Sequence, residues 1–357
     1  MIHPDCFTKA WLNSCREQAG RLDPALLEKS IYAFDLLGRL QAAGLPFVFK
    51  GGTAMLLLLD QFRRLSIDVD IVCPLPEEEV ERVVTEVAAK GPYLSMEPDK
   101  RDPNRLPRRH HYLFRYRSVV NDNIPQLLQL DVLQDEAHYP VIQNRPLTSR
   151  FIRPLGEVSV PVPTIEGLLG DKLTAFAPET VGVRYTAFKA PMRIAKQISD
   201  IGELFVHAQD SRAVLHAYNA LFEAENRYRA GAFTREQALL DTIAAARILA
   251  SVQLKGSKES EASRLLHEGV GQVDSHMIGK TYRLDDAKVA ASRAAHLAAM
   301  VLRGAVGQLH MERYDPARVA ELKQATLSLK WHPLMRLRGI NDEAFYHWSR
   351  VQALIDE

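Results

Sequence analysis

The most constraining feature of this chain is a pair of glycines, Gly51-Gly52, followed after fifteen residues by an alternating stretch of aspartate and apolar residues. Residues 46–49 predict a buried strand that runs into the glycines, and residues 53–62 predict an apolar helix. Residues 67–72 alternate apolar and acidic side chains, which predicts a second strand. The chain therefore leaves one strand, forms a helix and returns on a neighbouring strand, with both motifs near one end of a sheet.

Two carboxylates lie on the same face of this second predicted strand. Asp68 and Asp70 stand at positions i and i+2, and Ile67, Val69 and Ile71 point the other way. Side-by-side carboxylates repel each other, and a divalent cation would offset that cost. The glycines that open the helix supply backbone N–H groups suited to a phosphate. Together these features predict a site for a metal–nucleotide complex.

A third carboxylate, Asp131, lies in the predicted strand 127–133. If that strand pairs beside residues 67–72, Asp131 joins Asp68 and Asp70 at one rim. Three carboxylates on two strands can hold two Mg²⁺ ions about 3.5–4 Å apart. Taken alone, Asp131 is equally well explained as an ordinary turn or edge residue.

The pattern of secondary structure changes near residue 163. Before it, helices alternate with strands, and after it the periodicity is almost wholly helical. With 46% hydrophobic and 25% charged residues, the chain has enough apolar residues for a sizeable core. We expect an α+β protein with a mixed α/β domain at 1–163 and an all-helical domain at 164–357.

Charge, cysteine content and hydropathy limit the possible functions. The net charge of +1 argues against a polyanion-binding surface over the whole protein and leaves room for a local basic patch. The three cysteines lack metal-ligand spacing, which predicts free thiols in a reducing compartment. The longest apolar run, 54–59, is too short to cross a bilayer, and the N-terminus has no signal core. We expect a cytoplasmic protein without a membrane partner.

A basic tract crosses the first predicted domain and is interleaved with Tyr112, Phe114 and Tyr116. It comprises Lys100, Arg101, Arg105, Arg108, Arg109, His110, His111, Arg115 and Arg117. One interpretation is a surface that contacts an RNA backbone, with the aromatic rings available for stacking. The other is a solvated segment that balances the acidic helix at 77–86. His110 and His111 point to opposite strand faces, so they cannot form one metal site alone.

Three short motifs resemble a known family. Residues 50–55 (Lys-Gly-Gly-Thr-Ala-Met), Arg64-Leu65-Ser66 and residues 68–71 (Asp-Val-Asp-Ile) resemble the first motif of the AbiEii/AbiGii (MenT-like) nucleotidyltransferase toxins, in the DNA polymerase β-like superfamily. Asp171-Lys172 is similar to the second motif. The third motif is matched by Arg193, Lys196 and Asp200. The resemblance spans residues 45–205, and the stretch between the last two motifs is extended by a loop at 178–192.

The resemblance implies a fold and a set of roles. The fold is a mixed β-sheet with flanking helices, and the helical domain would form the other half of the cleft. Lys172 would neutralise phosphate charge in the transition state, and Asp200 would organise Lys172 or take the acceptor proton. Asp131 would be a third metal ligand or a general base. The implied metal ligands are Asp68, Asp70 and Asp131, and the implied nucleotide-binding residues are Lys50, Gly51, Gly52, Thr53, Ser66, Lys172 and Lys196.

Without the resemblance, Lys196 and Asp200 have a simpler explanation. They stand at i and i+4 and could pair across a helix surface for a few tenths of a kcal/mol.

The resemblance also implies an activity and partners. We expect a nucleotidyltransferase that depends on Mg²⁺, with Mn²⁺ as the alternative ion, and acts as the toxin of a bacterial toxin–antitoxin pair. It would transfer NMP from an NTP to an RNA acceptor, the tRNA 3′ end in particular, and a cognate antitoxin would be its partner. The alternatives are a protein or small-molecule acceptor, and a catalytically idle nucleotide- or RNA-binding protein on the same fold.

Overall fold

The chain divides into two compact units in a computed structural model that describes residues 1–99, 106–304 and 311–356. Unit 1 comprises Met1–Thr164 together with the short segment His276–Thr281. Unit 2 comprises Ile165–Ser275 and Tyr282–Glu357. The α+β class and the helical C-terminal region predicted from the sequence are confirmed.

Unit 1 contains a five-stranded mixed sheet and a two-stranded sheet. The helices are α1 (Lys9–Ala19), α2 (Pro24–Ala42), α3 (Gly51–Leu58) and α4 (Glu77–Lys90). The strands are β1 (Val48–Lys50), β2 (Val69–Cys73), β3 (Ser95–Pro98), β4 (Arg109–Arg117), β5 (Pro125–Gln134), β6 (Ile142–Pro146) and β7 (Ser159–Pro163). The large sheet has the order β1-β2-β5-β4-β3, in which only β2 and β5 run parallel. Strands β6 and β7 pair antiparallel.

One face of the large sheet forms the core of unit 1. The apolar residues that β2, β4 and β5 place on this face are buried: Val69, Ile71, Tyr112, Phe114, Tyr116, Leu128, Leu130 and Val132. Helix α2 covers this face, where the Tyr32 ring stacks on Tyr116 with centroids 3.9 Å apart. Cys73 at the end of β2 is buried and free, as are Cys6 and Cys15. The opposite, more polar face carries Asp70, Asp131 and His111, together with the buried side chain of Val72.

The helix and strand next to the glycines differ in their bounds from the prediction. Helix α3 begins at Gly51 itself and ends at Leu58, and β2 begins at Val69 instead of residue 67. Asp68 therefore precedes the strand. The reason is local, because the Asp68 carbonyl accepts a hydrogen bond from the Thr53 hydroxyl at 2.6 Å instead of joining the sheet.

A segment from much later in the chain, His276–Thr281, holds the loop between α3 and β2 in place. The amide of Leu65 donates to the carbonyl of His276 at 2.9 Å, and that of Ile278 donates to Arg63 at 2.8 Å. Arg64 and Met277 form an antiparallel bridge between them. The segment His276–Thr281 thus supports the loop that leads into Asp68, a contact that local sequence pattern did not indicate.

Unit 2 is helical throughout its described part. Its helices are α5 (Ile165–Ala175), α6 (Ala190–His207), α7 (Ser211–Arg227), α8 (Arg235–Ser251), α9 (Glu261–Asp274), α10 (Leu284–Arg303), α11 (Val319–Leu322) and α12 (Asp342–Asp356). Helix α5 packs against α6 and α7, and α10 packs against α6, α8 and α12. Across the described ranges of both units, none of the helices combines the length and apolar character needed to cross a membrane.

Two histidines are buried together between α10 and α12. The Nδ1 atoms of His296 and His347 are 3.0 Å apart, and both side chains are inaccessible to solvent. Burial lowers the pKa of both imidazoles, that of His296 strongly. The charged groups around the pair, which have both signs, are Arg293, Glu312, Glu343 and Arg350. The pair is therefore neutral near pH 7.

Stability should fall on mild acidification because of this pair. Since both folded-state pKa values lie below the ordinary value of about 6.5, the unfolded chain takes up protons first as pH drops. The free energy of unfolding is therefore highest above about pH 6.5 and decreases below it, by about 1–3 kcal/mol between pH 7.5 and 5.5. We expect the urea midpoint, followed by fluorescence of Trp331 and Trp348, to decrease over this range.

A matched pair of variants assigns the effect. Replacing both His296 and His347 with Gln should flatten this pH dependence, whereas the exposed His332→Gln should leave it intact. An unchanged pH dependence in the double variant would contradict the assignment.

Candidate active site

The Asp70 carboxylate lies against the beginning of helix α3. Gly51 opens the helix with φ +77°, a backbone conformation that favours glycine. A β-carbon at Gly51 would overlap the Asp70 carboxylate and stand 3.0 Å from its Cβ and Cγ atoms. The side chain of Lys50, the residue before the helix, does not cap it. The site thus combines a carboxylate with a helix N-terminus whose first amides Lys50 leaves uncapped, the arrangement that suits a metal-bound phosphate.

Gly52 extends this close packing to the loop before β2. A β-carbon at Gly52 would lie 2.6 Å from Nη2 of Arg64 and 2.9 Å from Oγ of Ser66. Both of those side chains are buried, and the Ser30 hydroxyl donates to the Ser66 carbonyl at 2.9 Å. Ser66 is therefore held beside the first turn of α3, next to the glycines with which the sequence grouped it.

Thr53 positions the chain at Asp68. Its side chain is fully buried, and the hydroxyl donates to the Asp68 carbonyl. The contact supports a positioning role for Thr53, and its role in phosphate binding stays a prediction. Asp68 itself is half-buried, two residues before Asp70.

A row of charged and polar side chains crosses the open face of the sheet from Lys50. Lys50 on β1 pairs in register with Asp70 on β2, and Asp70 pairs with Asp131 on β5. Asp131 in turn pairs with His111 on β4. Residues directly opposite one another share a sheet face, so these four side chains lie in one line on the polar face. Asp70 and Asp131 are brought together as neighbours.

Asp131 is engaged by its own strand and by β4. Its Oδ1 lies 2.5 Å from Nδ1 of His111 and accepts a hydrogen bond from the Gln129 amide at 2.6 Å. Burial alone would raise the pKa of Asp131, but the hydrogen bonds from His111 and Gln129 outweigh it and hold that pKa below its ordinary value. The carboxylate is therefore ionised near pH 7.

The donor set at this face fits a hard cation with few protein ligands. Within residues 1–99, 106–304 and 311–356, no group of three or more acidic, histidine or cysteine residues forms a metal-binding cluster. Mg²⁺ typically takes one or two carboxylates, with waters and substrate phosphates completing its coordination. Asp68 and Asp70 carry ligand groups of that type, and metal binding by Asp68, Asp70 or Asp131 stays a prediction.

The stacking role predicted for the aromatic residues of the basic tract is wrong. Tyr112, Phe114 and Tyr116 are at most 1% exposed and pack in the core of unit 1. The strand alternation explains this, because the same period that exposes Arg115 and Arg117 turns the aromatic rings inward. Lys100, Arg101 and Arg105 lie outside the described residues, whereas Arg108 and Arg109 are exposed.

Unit 2 contains a buried ion pair formed by two of the predicted residues. Nζ of Lys172 on α5 lies 2.8 Å from Oδ2 of Asp200 on α6, and the side chains are 7% and 1% exposed. Lys196, one turn before Asp200, and Asp171 are both half-buried. The structure therefore joins Lys172 directly to Asp200.

Two residues of the site were not identified from the sequence. His111 entered only as part of the basic tract, because its pairing with Asp131 depends on the register between β4 and β5. Arg64 appeared only as part of a motif, although it is buried against Gly52 and donates to the Leu65 carbonyl at 3.1 Å. A buried arginine two residues before Ser66 carries no local signal of burial.

Comparison with known families decides the identity of this site. The model of the family described as "Nucleotidyl transferase AbiEii toxin, Type IV TA system" matches residues 35–268, well over half of the chain. The chain belongs to the AbiEii nucleotidyltransferase toxin family. It is therefore a nucleotidyltransferase of the toxin–antitoxin class, and the resemblance found in its motifs is confirmed. None of the curated proteins matches it.

The chain is also similar to solved structures. MenT4, a nucleotidyltransferase toxin from Mycobacterium tuberculosis H37Rv, aligns over 95% of this chain and 98% of its own, with a TM-score of 0.54 and 14% identity. JHP933 from Helicobacter pylori aligns over 80% of this chain and 94% of its own, with a TM-score of 0.43 and 17% identity. At these identities the MenT4 alignment supports the nucleotidyltransferase fold and no more.

Gly51→Ala should impair this AbiEii family member through Asp70. The added methyl group overlaps the Asp70 carboxylate and displaces it, and a 1 Å error in a reacting group can cost about 10²-fold in rate. The matched control is Gly20→Ala, since Gly20 has φ +74° and open space around its Cα. Both variants should lose stability from backbone strain, and the overlap with Asp70 adds to that loss in Gly51→Ala.

Nucleotide-transfer rates and thermal unfolding separate the two effects. Only Gly51→Ala should lose activity. Equal activity in the two alanine variants would show that the contact with Asp70 does not matter.

Proposed function

We propose that this AbiEii toxin transfers a nucleoside monophosphate from an NTP to the 3′ end of RNA, tRNA in particular. The reaction would depend on Mg²⁺, with Mn²⁺ as the alternative ion, would take place in the cytoplasm and would arrest growth until a cognate antitoxin acts. The observation that carries the proposal is the contact between the Asp70 carboxylate and the Gly51 start of α3. A cation ligand and a phosphate-binding helix terminus stand side by side there.

The residues of unit 1 would bind and orient the triphosphate. Backbone amides at Gly51 and Gly52 would donate to phosphate oxygens at the helix N-terminus. Asp68 and Asp70 would hold Mg²⁺, which when bound neutralises phosphate charge and activates the attacking oxygen. Asp131 adds an ionised carboxylate beside Asp70, positioned by His111. Ser66 would orient a phosphate or the Asp68 carboxylate.

Lys172 would act in the same reaction as the electrostatic stabiliser. Its ammonium group is held by Asp200, so its position is fixed before substrate arrives. A preorganised cation stabilises charge that develops on phosphoryl oxygens without reorganising during the reaction. Lys196 would contribute a further positive charge to nucleotide binding.

The exposed arginines of β4 favour a polyanionic acceptor. Arg115 and Arg117 alternate with the buried aromatic residues, so they share the sheet face of His111 and Asp131. An RNA backbone that pairs with these guanidinium groups runs along the face that carries the carboxylates. A small-molecule acceptor would have no need of such a cationic edge.

The test is transfer of each α-labelled NTP to total RNA in the presence of Mg²⁺. We expect label in RNA with an intact 3′ end, and none in RNA whose 3′ diol has been destroyed by periodate. Equal labelling of both RNA samples would refute transfer to the 3′ hydroxyl. Label in the protein itself, or in a small molecule, would replace RNA with another acceptor class.

A further inference from the structure

The loop between α5 and α6 presents an aromatic ring to solvent. All thirteen phenylalanines lie in the described part of the chain, and Phe188 is the only exposed one, at 80%. A single exposed apolar side chain is common on protein surfaces and carries no argument by itself. Three further features indicate a role for Phe188: the backbone conformation, the attachment of both ends of the loop, and the charged residues near the ring.

The backbone at Phe188 is shaped by two consecutive turns. The amide of Ala187 donates to the Arg184 carbonyl at 3.0 Å, and the amide of Ala190 donates to the Ala187 carbonyl at 3.0 Å. Lys189 has φ 54° and ψ 34°, the left-handed conformation that a lysine rarely adopts. Strain of this kind is retained where surrounding structure enforces it, and such positions cluster at functional sites.

Both ends of the loop are anchored to neighbouring helices of unit 2. At the start, the Thr180 hydroxyl and the Glu179 amide each donate to Oδ2 of Asp241 on α8 at 2.8 Å. At the end, Gly269 on α9 approaches Pro191 so closely that a β-carbon there would lie 2.7 Å from the Pro191 carbonyl carbon. Both ends of the loop that carries Phe188 are therefore held in place by neighbouring helices.

Positively charged residues flank Phe188 along the chain. Arg184, Lys189 and Arg193 are all exposed, and Nζ of Lys189 lies 5.2 Å from the centroid of the Phe188 ring. An aromatic face among cations is the arrangement by which proteins bind single-stranded nucleic acid, with bases on the ring and phosphates on the cations. A protein partner would instead require a contiguous apolar patch. The nearest exposed residue before Phe188 in the chain is Thr186, which is polar.

We propose that Phe188 is the stacking platform for an unpaired base of the RNA acceptor, with Arg184 and Lys189 contacting its phosphates. This proposal rests on RNA being the acceptor. The loop leads directly into α6, and ten residues of helix place Asp200 about 15 Å along the axis from Ala190. The stacked base is therefore a few nucleotides away from the end that reacts. The platform supplies the stacking surface that the buried rings of β4 cannot provide.

The experiment measures binding and transfer separately on the full chain. A labelled single-stranded RNA oligonucleotide is titrated by fluorescence anisotropy against the wild type, Phe188→Ala and Phe188→Trp. The control is Leu329→Ala, since Leu329 is 91% exposed elsewhere in unit 2. We expect Phe188→Ala to weaken the Kd and raise the KM for RNA about ten-fold, with the KM for NTP unchanged. Phe188→Trp should restore both, and the control should match the wild type.

The cationic partners have their own readout. The double variant Arg184→Gln/Lys189→Gln should reduce the slope of log Kd against log salt by about 0.7 for each phosphate that the protein no longer neutralises. An unchanged slope would overturn their part in the proposal.

The outcomes distinguish this inference from the proposed function. RNA transfer by the wild type with unaltered Kd and KM in Phe188→Ala would overturn the platform and leave the function standing. Weakened binding in Phe188→Ala without any RNA transfer by the wild type would support the platform and refute the acceptor. No RNA binding by the wild type would overturn both. A loss of self-association in Phe188→Ala, with RNA binding intact, would reassign the ring to contact with a second copy.

Discussion

Asp70→Asn should reduce nucleotide transfer by about 10³-fold or more, the effect of losing several kcal/mol of charge stabilisation at a cation site. Asparagine keeps the shape that packs against Gly51 and removes the negative charge, so the fold should be retained. The measurement is the initial rate of label transfer under saturating NTP. On expression in a bacterial host, the variant should also lose the growth arrest that we propose for the wild type.

The control for Asp70 is Asp60→Asn, the same chemical change at an exposed position of unit 1. Its transfer rate should equal that of the wild type, and both variants should unfold at the wild-type temperature. An Asp70→Asn protein that keeps more than about a tenth of the activity would remove Asp70 from the cation site.

Lys172→Met should be both inactive and strongly destabilised. The substitution leaves the Asp200 carboxylate buried without its cation, at 1% exposure, which typically costs about 3–5 kcal/mol. Adding Asp200→Leu removes the orphaned charge, so the double variant should regain most of that stability. Its activity should stay lost, because the ammonium group proposed to stabilise the phosphates is still missing. Urea unfolding and label transfer on the three proteins give both quantities.

The exposed pair of Lys90 and Glu86 on α4 provides the matched control. Their side chains are 72% and 51% exposed and the pair is screened by solvent, so Lys90→Met should leave the urea midpoint close to that of the wild type. If Lys172→Met were as stable as Lys90→Met, the pair would not be buried as described. A double variant that recovered activity together with stability would assign the pair to the fold alone.

Local sequence patterns were sufficient for much of the fold. Helix α4 begins at Glu77, where the acidic segment at 77–86 begins, and α2 begins at Pro24 after an Asp23 N-cap, residue types that favour a helix start. Strand β5 lies within two residues of the predicted bounds 127–133. The bounds of α3 and the start of β2 differ from the prediction, and the start of β2 depends on the hydrogen bond from Thr53 to Asp68, which joins residues fifteen apart.

The part of the site that could be predicted from residue patterns is the part whose residues lie close together along the chain. The spacing of the glycines and the two aspartates indicated a site, whereas Lys172 and Asp200 were identified only through the resemblance to a family. His111 and Phe188 were out of reach for physical reasons. The first depends on strand register, and the second on a loop whose exposure no periodicity encodes. For the aromatic residues of β4 the error was the opposite one. A role in stacking was assigned to their rings from the sequence, and the structure shows these rings buried in the core.

Nucleotidyl transfer moves the α-phosphoryl group of the NTP with its nucleoside, and labelling one phosphorus at a time distinguishes it from phosphoryl transfer. Wild-type protein is incubated with RNA, Mg²⁺ and the same NTP labelled either at the α- or at the γ-phosphorus. We expect α-label in RNA, with γ-label released as pyrophosphate and absent from RNA. Incorporation of the γ-label into RNA would show phosphoryl transfer instead and would contradict it, as would the absence of both labels from RNA.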